Sequence, residues 1–384
     1  MRHALQPHLM SARRRRLMMS LGAALLAPRA AAQGAGQPDI SSFAPVVPGY
    51  AIRFPHDEGS HPAFRLEWWY VTGWLTPETG RPLGFQVTFF RARPAVRHDN
   101  PSSFAPHHIL IAHAALADPG HRRLLDAQRM ARAGFGLAGA DEGRLRVWID
   151  DWSLAVRNGA YHAAVGWEGT RFDFSLFARQ PPLLQGERGY SRKGPAPLSA
   201  SYYYSIPHLA VSGTLYRNKK RTNVAGTAWL DHEWSSQYME EQAIGWDWVG
   251  LNMDDGAALM LFRMRDRNGD AIWSGGTLRR ADGTLKTFSR SEIRFIPRRI
   301  WQSPRTGARY PVTWTLVAGG FKLALEPLMD DQEHDTRHST GTIYWEGAVS
   351  VLHQGMHAGR GYLELTGYWR PLDLSSRAPV SHAA

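Results

Sequence analysis

Trp68-Trp69-Tyr70-Val71-Thr72-Gly73-Trp74-Leu75, leading to Phe89-Phe90-Arg91, is echoed later in the chain by Trp246-Asp247-Trp248-Val249-Gly250-Leu251, leading to Leu261-Phe262-Arg263. Runs this rich in aromatic and β-branched side chains suit a pleated, half-buried surface. A motif that recurs within one chain marks two related units. Each unit also closes alike, with Leu209-Ala210-Val211-Ser212-Gly213-Thr214-Leu215 in the first and Leu363-Glu364-Leu365-Thr366-Gly367-Tyr368-Trp369 in the second. The expected boundaries are a first β unit over residues 50–237, a second over 238–372, and a tail over 373–384.

Between these motifs the texture is that of antiparallel strands. Phe172-Asp173-Phe174-Ser175-Leu176 and Val147-Trp148-Ile149-Asp150 alternate between a buried and a wet face. The dipeptides Asn158-Gly159, Asp255-Gly256, Asn268-Gly269 and Asp282-Gly283 supply the positive φ of tight hairpins. Long amphipathic helices are hard to find. The expected fold is all-β, two consecutive lipocalin-like antiparallel β-barrels. Each unit has room for about eight strands, enough to close a barrel around a small apolar ligand.

The N-terminus has the layout of an export signal. Arg13–Arg16 form a basic start, an apolar run covers 17–27, and Ala30-Ala31-Ala32 offers a small-residue cleavage site before Gln33. The apolar run is too short to cross a bilayer, so the expectation is export to the periplasm or beyond, with no stable membrane anchor. The paired arginines are a loose match to the twin-arginine type. Residues 33–49, rich in Gly, Pro, Ser and Ala, read as a flexible lead. Residues 1–32 hold six arginines and no acidic residue, so the formal charge of +11 drops to +5 without them, 39 basic against 34 acidic. That mild excess, with no basic and aromatic cluster, points to no nucleic-acid partner. The absence of cysteine excludes disulfides, thiolate catalysis and Cys-based metal sites.

Two clusters carry candidate chemistry. The first is Phe54-Pro55-His56-Asp57-Glu58-Gly59-Ser60-His61-Pro62 followed by Glu67-Trp68-Trp69-Tyr70. It offers His56, Asp57, His61 and Glu67 beside three large rings, and burial against rings raises a carboxyl toward neutral pKa; a polar surface turn is the competing reading. The second is Trp229-Leu230-Asp231-His232-Glu233-Trp234. In a strand, Asp231 and Glu233 point one way while Leu230, His232 and Trp234 point the other. His232 is then placed to move a proton and Trp234 to hold a cation over its ring. The alternative is a polar strand end that ties the two units together.

Other patterns lack their context. Gly134-x-Gly136-x-x-Gly139 follows no strand and opens no helix, so it reads as a loop. His107, His108 and His113 have no carboxylate at fixed spacing and read as strand or loop histidines. No metal and no cofactor is expected.

These clusters also carry a resemblance. F-P-x-D-x-G-x-H-P, E-W-W-Y-x-T-G and G-F-Q-x-T-F-F-R over 54–91, the run Ala228–Trp234, and Gly361-Tyr362-Leu363-Glu364-Leu365-Thr366-Gly367-Tyr368 resemble blocks of the carotenoid 1,2-hydratase/AttH-like family, over residues 50–371. The resemblance implies tandem lipocalin-like domains and, for the hydratase branch, addition of water to the terminal double bond of an acyclic carotenoid. That branch implies a His-x-Trp pair, matched by His232 and Trp234, and a Tyr-x-Asp pair. For the latter, Leu-Met-Leu-Phe-Arg-Met-Arg-Asp over 259–266 offers Asp266 and no tyrosine. Many relatives carry only the label of secreted hydrolase.

The expected partner is an apolar small molecule, isoprenoid or lipid-like. The candidate catalytic groups are Asp231, His232 and Glu233, with Asp266 secondary. The candidate ligand-facing residues are Trp68, Trp69, Tyr70, Trp234, Trp246, Asp247 and Trp248. His232 is expected to matter more for function than for stability. Hydration, hydrolysis by activated water, and binding without turnover all remain open at this level.

Overall fold

The computed structural model describes residues 43–78, 80–94, 102, 105–217 and 219–374. The export signal and most of the lead lie outside the described residues, as does the tail from 375. The first sheet contains β1 (Leu66–Pro77), β2 (Leu83–Ala92), β3 (Ile109–Ala117), β4 (Leu125–Arg132), β5 (Ala138–Ala140), β6 (Arg146–Ile149), β7 (Trp152–Arg157), β8 (Ala160–Trp167), β9 (Thr170–Phe177), β10 (Leu183–Leu184), β11 (Tyr190–Arg192), β12 (Ala200–Arg217) and β13 (Lys220–Ser235). Their spatial order is β4-β3-β2-β1-β13-β12-β9-β8-β7-β6-β5, with β10 and β11 added on β12.

The second sheet contains β14 (Gly245–Met253), β15 (Ala258–Arg265), β16 (Ala271–Arg279), β17 (Leu285–Phe288), β18 (Ile293–Gln302), β19 (Arg309–Ala318), β20 (Phe321–Pro327), β21 (Glu333–Asp335), β22 (Ile343–His353) and β23 (Met356–Leu365). Its order is β17-β16-β15-β14-β23-β22-β20-β19-β18, with β21 on β22. The protein is all-β with antiparallel pairing, and the described residues contain no α-helix.

The turn chemistry explains the hairpins. Asn158 and Gly159 join β7 to β8 with φ of 51° and 76°, both positive as a two-residue turn of this type requires. Gly256, Gly269 and Gly283 sit at φ of 91°, 84° and 86° in the next three predicted turns. Gly134 and Gly136 form a tight turn with positive φ, and Gly139 lies in the short strand β5.

The opening echo is structural: β1 pairs with β2 as β14 pairs with β15. The closing echo is not. The strand that closes on β14 is β23, which holds Leu363–Leu365. The strand that closes on β1 is β13, while Leu209–Leu215 lies one strand away in β12. Any strand with one apolar face shows that alternation, so the likeness of those two segments carries no topological information.

The first sheet curls until its ends nearly meet. Arg129 on β4 donates to Ile149 O at 3.2 Å and lies over the Trp152 ring at 4.6 Å. Its interior is filled with side chains, Trp69, Phe85, Phe89, Trp152, Phe172 and Trp234 among them, each nearly or fully buried. The segment around residues 54–62 plugs one end: Trp69 Nε1 donates to Glu58 O at 3.1 Å, Tyr161 OH donates to the Glu58 carboxylate at 2.6 Å, and the Phe54 ring meets Tyr204 edge-on. Gly59 lies so close to the 142–144 backbone that a Cβ would stand 2.4 Å from Gly143 N. The second interior is filled likewise by Tyr310, Trp314, Trp345 and aliphatic side chains. The lumen expected to hold a ligand is therefore packed.

The sheets meet along their outer faces. Tyr70, Trp74, Tyr203 and Trp229 from the first pack on Trp248, Met260, Phe262 and Tyr362 from the second. Trp74 Nε1 donates to Gly361 O at 3.0 Å, Asn252 Nδ2 to Ala228 O at 3.2 Å, and Trp248 Nε1 to Tyr203 OH at 3.0 Å. Burying rings of this size is worth roughly 1.5–3 kcal/mol each.

Candidate functional site

Alternation along β1 and β13 sorts the sequence candidates into two separate places. Odd positions of β1 and even positions of β13 face the first barrel's interior, and the others face the seam between the sheets. Asp231 and Glu233 thus stand on one side of a strand whose other side carries His232 and Trp234.

The interior group is a closed network. The Glu67 carboxylate accepts from Arg91 Nε at 2.7 Å and lies 2.7 Å from His61 Nδ1 and 3.0 Å from His232 Nε2. His232 Nδ1 lies 3.2 Å from Tyr204 OH. Asp57 Oδ1 is 3.5 Å from His61 Nε2 and 2.6 Å from His56 Nδ1, while Asp57 Oδ2 accepts from Tyr50 OH and Arg53 N. His61 stacks on Trp234 at 3.8 Å and His232 on Trp69 at 4.8 Å.

Burial pushes the Glu67 carboxyl up, but Arg91 and the two histidines outweigh it and hold it well below the ordinary range. Burial also lowers the His61 pKa, and Asp57 and Glu67 more than reverse that, favouring an imidazolium over the Trp234 face. For His232 burial wins, despite Glu67, and its pKa falls to about 4. His61, Glu67 and His232 place ligand-type atoms within 4.8 Å of one another, the one such group among the described residues. His61 Nδ1, Glu67 Oε1 and His232 Nε2 already bond one another, while the buried His61 Nε2 and Trp234 Nε1 make no hydrogen bond. His232 is completely buried and does not line the seam cavity described next.

That cavity, of about 240 Å³, opens between the two sheets. Its walls include Trp68 and Tyr70 from β1, Asp231 and Glu233 from β13, Trp246 and Trp248 from β14, Tyr344 and Glu346 from β22, and Glu364 from β23. Asp231, Glu233, Glu346 and Glu364 meet several aromatic rings across this space, and Glu67, Asp373 and the side chains of Arg65, Arg91 and Arg93 also border it.

Asp231 accepts from Ser205 Oγ at 2.5 Å, Trp229 Nε1 at 2.6 Å and Tyr203 OH at 2.7 Å. Burial nevertheless lifts its pKa to about 7 against those three donors. Glu233 accepts from Ser201 and pairs with the buried ammonium of Lys193 at 2.7 Å. Burial pushes Glu233 up and Lys193 down, each partly offset by the other. Glu346 and Glu364 are direct cross-strand partners, a relation that sets Cβ atoms about 4.5–5.5 Å apart. Burial raises Glu364 to about 7, while Trp246 Nε1, donating at 3.0 Å, works against that. Burial and the Glu364 charge drive Glu346 well above the usual carboxyl range, against the smaller opposing pull of the Tyr70 hydroxyl. Glu346 is 3% exposed and its Oε1 has no hydrogen-bond partner.

A chain of hydrogen bonds anchored on a backbone carbonyl fixes the proton order beside Glu346. Gln128 Nε2 donates to Asp335 O at 2.8 Å, so Gln128 Oε1 is an acceptor, and Ser339 Oγ donates to it at 2.7 Å. Ser339 has then spent its proton, so His113 Nε2, 2.9 Å away, must donate to Ser339. His113 Nδ1 must accept, and its partner at 3.0 Å is Tyr344 OH. Burial, with nearby His334, keeps His113 neutral, as this order requires. Toward Glu346 the Tyr344 oxygen is left with lone pairs alone, which suits a protonated carboxyl and disfavours a carboxylate.

Of the sequence candidates, Trp68, Tyr70, Asp231, Glu233, Trp246 and Trp248 line the cavity, and Glu67 reaches its edge from the barrel network. Trp69, Trp234, His232, His61, Glu67 and Asp57 are brought together in the barrel network. Asp247 is buried among Arg263, Arg265 and Tyr368 at 2.6, 3.0 and 2.9 Å. Asp266 caps its own turn, accepting from the Asn268 and Asp270 backbone amides at 2.9 Å. His56 is largely exposed. Glu346, Glu364, Tyr344 and Lys193 were not singled out in the sequence as site candidates, and His113, read there as a strand or loop histidine, lies in β3 on the cavity wall. A single glutamate inside the apolar strands Ile-Tyr-Trp-Glu-Gly-Ala-Val and Tyr-Leu-Glu-Leu was the available signal.

Comparison with known proteins agrees with this architecture. An AttH-like protein of Nitrosomonas europaea is 50% identical, covering 85% of this chain and all of its own, with a TM-score of 0.80. Kievitone hydratase of Nectria haematococca shares the fold at 15% identity, covering 87% of this chain and 98% of its own, with a TM-score of 0.63. CghA does so at 16% identity, 89% and 98% coverage and a TM-score of 0.53. No functionally curated protein matches the sequence. The AttH-like family model matches residues 45–368, and the chain belongs to that family.

Proposed function

We propose that this protein is a hydratase that adds water to a carbon–carbon double bond of an apolar small molecule held in the cavity between the sheets. The observation that carries the reading is Glu346, a buried carboxyl with a free oxygen on the cavity wall, beside a neighbour that raises its pKa and a tyrosine turned to accept. A neutral acid there gives its proton to one alkene carbon, and the adjacent carbon becomes cationic against the faces of Trp68, Trp246 and Trp248. Water then forms the new C–O bond and passes a proton to Glu364, which the Trp246 donor favours as the ionised member of the pair. Transfer from Glu364 to Glu346 restores the starting state. Two like groups set to opposite roles by environment is the usual arrangement for acid/base work near neutral pH.

The volume, about 240 Å³, lies just below the roughly 300–1,000 Å³ usual for small-molecule sites, and fits a small terpenoid or one end of a longer isoprenoid. Kievitone hydratase, which shares this fold, is named for a hydration. The sequence of residues 1–32 further favours action outside the cytoplasm. N-terminal sequencing of secreted protein is expected to begin at Gln33, and material beginning at Met1 would contradict it.

The test is incubation of the mature protein with acyclic isoprenoids, geraniol, linalool and lycopene, in ¹⁸O-labelled water. Product carrying one labelled water is expected, with Glu346→Gln slower by roughly 10²–10⁴-fold. Binding of these compounds with no labelled product would make the protein a carrier. Equal rates in Glu346→Gln would remove Glu346 as the acid.

A further inference from the structure

The two carboxyl pairs of the cavity are not treated alike. On the first sheet, Glu233 has a resident cation: the Lys193 ammonium lies 2.7 Å from its carboxylate and over the rings of Tyr203, Tyr238 and Phe262 at 4.8, 5.3 and 4.3 Å. This cage of carboxylate, aromatic faces and the Ser191 hydroxyl, which accepts from Lys193 Nζ at 3.0 Å, holds a buried ammonium. Across the cavity, Glu346 and Glu364 present the same ingredients without the cation. They form no ion pair among the described residues, and neither Glu346 Oε1 nor the neighbouring Tyr70 hydroxyl makes a hydrogen bond of ordinary geometry, though the two lie close enough to influence each other's protons. The rings beside them are in place: Trp68 meets Tyr238 edge-on at 5.0 Å, Tyr238 meets Trp246 at 5.6 Å, and Tyr70 meets Trp248 at 5.3 Å.

We propose that the cavity is also a binding site for an organic cation, a quaternary or protonated amine on an apolar frame, with its charge at Glu346 and Glu364 and its apolar groups on Trp68, Trp246 and Tyr238. A cation between two adjacent carboxylates removes the repulsion that otherwise makes them share a proton. Quaternary ammonium groups in aromatic cages gain further from the ring quadrupoles. The inference rests on the same cavity as the hydration reading but not on turnover, so the ligand can be an inhibitor, a signal or cargo.

Cation binding must displace protons, so affinity rises with pH. The groups around the pair are Asp231 and Glu233 on β13, Tyr70 and Glu67 on β1, Tyr344 on β22, Tyr362 on β23, His113 on β3, and Tyr238 and Asp373, with Lys193 behind Glu233. Of the cations near the mouth, Arg91 is paired with Glu67 and Arg65 lies in the field of Asp373, while Arg93 bonds the Pro62 carbonyl and keeps a positive charge that works against a ligand cation.

The experiment is calorimetric titration of the full mature chain with phenyltrimethylammonium, and competition by its uncharged isostere tert-butylbenzene, at about pH 6 and about pH 8. The expected result is that the cation binds roughly tenfold or more tightly than the isostere at the higher pH and weakens several-fold at the lower, releasing protons as it binds. Glu346→Gln combined with Glu364→Gln is expected to abolish that preference while leaving isostere binding intact. Should the double variant fail to fold, the pH dependence and proton release of the unaltered protein decide alone. Equal affinity for the two probes, no effect of pH, or no binding of the cation would each overturn the proposal. Failure to hydrate any alkene would leave it standing.

Discussion

At the scale of single residues the seam carboxyls make a pH signature. Glu364 has its folded pKa raised to about 7 and Glu346 is likewise held well above the ordinary carboxyl range, so the folded protein keeps protons that the unfolded chain releases near 4.5. Their contribution is fully present below that value and is lost as pH rises through about 7, roughly 3 kcal/mol for Glu364. Glu364→Gln removes the dependence. Its melting temperature relative to the unaltered protein is expected to be higher at about pH 8 than at about pH 5, and an equal difference at both would contradict the burial argument. His113→Leu frees the Tyr344 hydroxyl to donate to Glu346, so the Glu346 pKa is expected to fall, read from its ¹³C carboxyl shift. His232→Ala acts on the other face of β13. It strips a partner from Glu67 and Tyr204, an expected loss of about 1–3 kcal/mol, with binding in the seam unchanged. Weaker binding at native stability would return His232 to the site.

At the scale of elements, much was legible because strand alternation is local. Asn158-Gly159 and its three fellow dipeptides fixed hairpins, and the sorting of Asp231 and Glu233 from His232 and Trp234 follows from period two alone. What alternation cannot say is which face becomes a ligand site. Both faces of β1 and β13 are buried, one in a filled barrel and one against the second sheet, so His232 and Asp231 look equally interior in sequence. Close ring packing in the seam depends on Gly250, where a Cβ would stand 2.5 Å from the Trp248 ring and 3.0 Å from that of Trp229. Gly250→Ala is expected to cost about 1–3 kcal/mol and to weaken ligand binding by displacing Trp248. A variant with unchanged denaturation midpoint and affinity would show that the rings have slack.

At the scale of the molecule, the cavity belongs to neither sheet. Asp231 and Glu346 come from strands more than a hundred residues apart, and no window of sequence contains both. Glu346 and Glu364, each alone among apolar neighbours, gain meaning once the outer faces of two filled barrels are pressed together. Proteins that put their interiors to packing and their contact face to chemistry need both halves at once, so a chain ending at Gln237 is expected to expose Trp74, Trp229 and Tyr203 and to lose all ligand binding. The account stands on a neutral carboxylic acid in that seam. Its most direct test is ¹³C NMR of glutamate-carboxyl-labelled protein, titrated across the neutral range. A carboxyl resonance that is still protonated where ordinary glutamates have ionised, and that is absent from Glu346→Gln, is expected; titration of every glutamate below about pH 5 would contradict it.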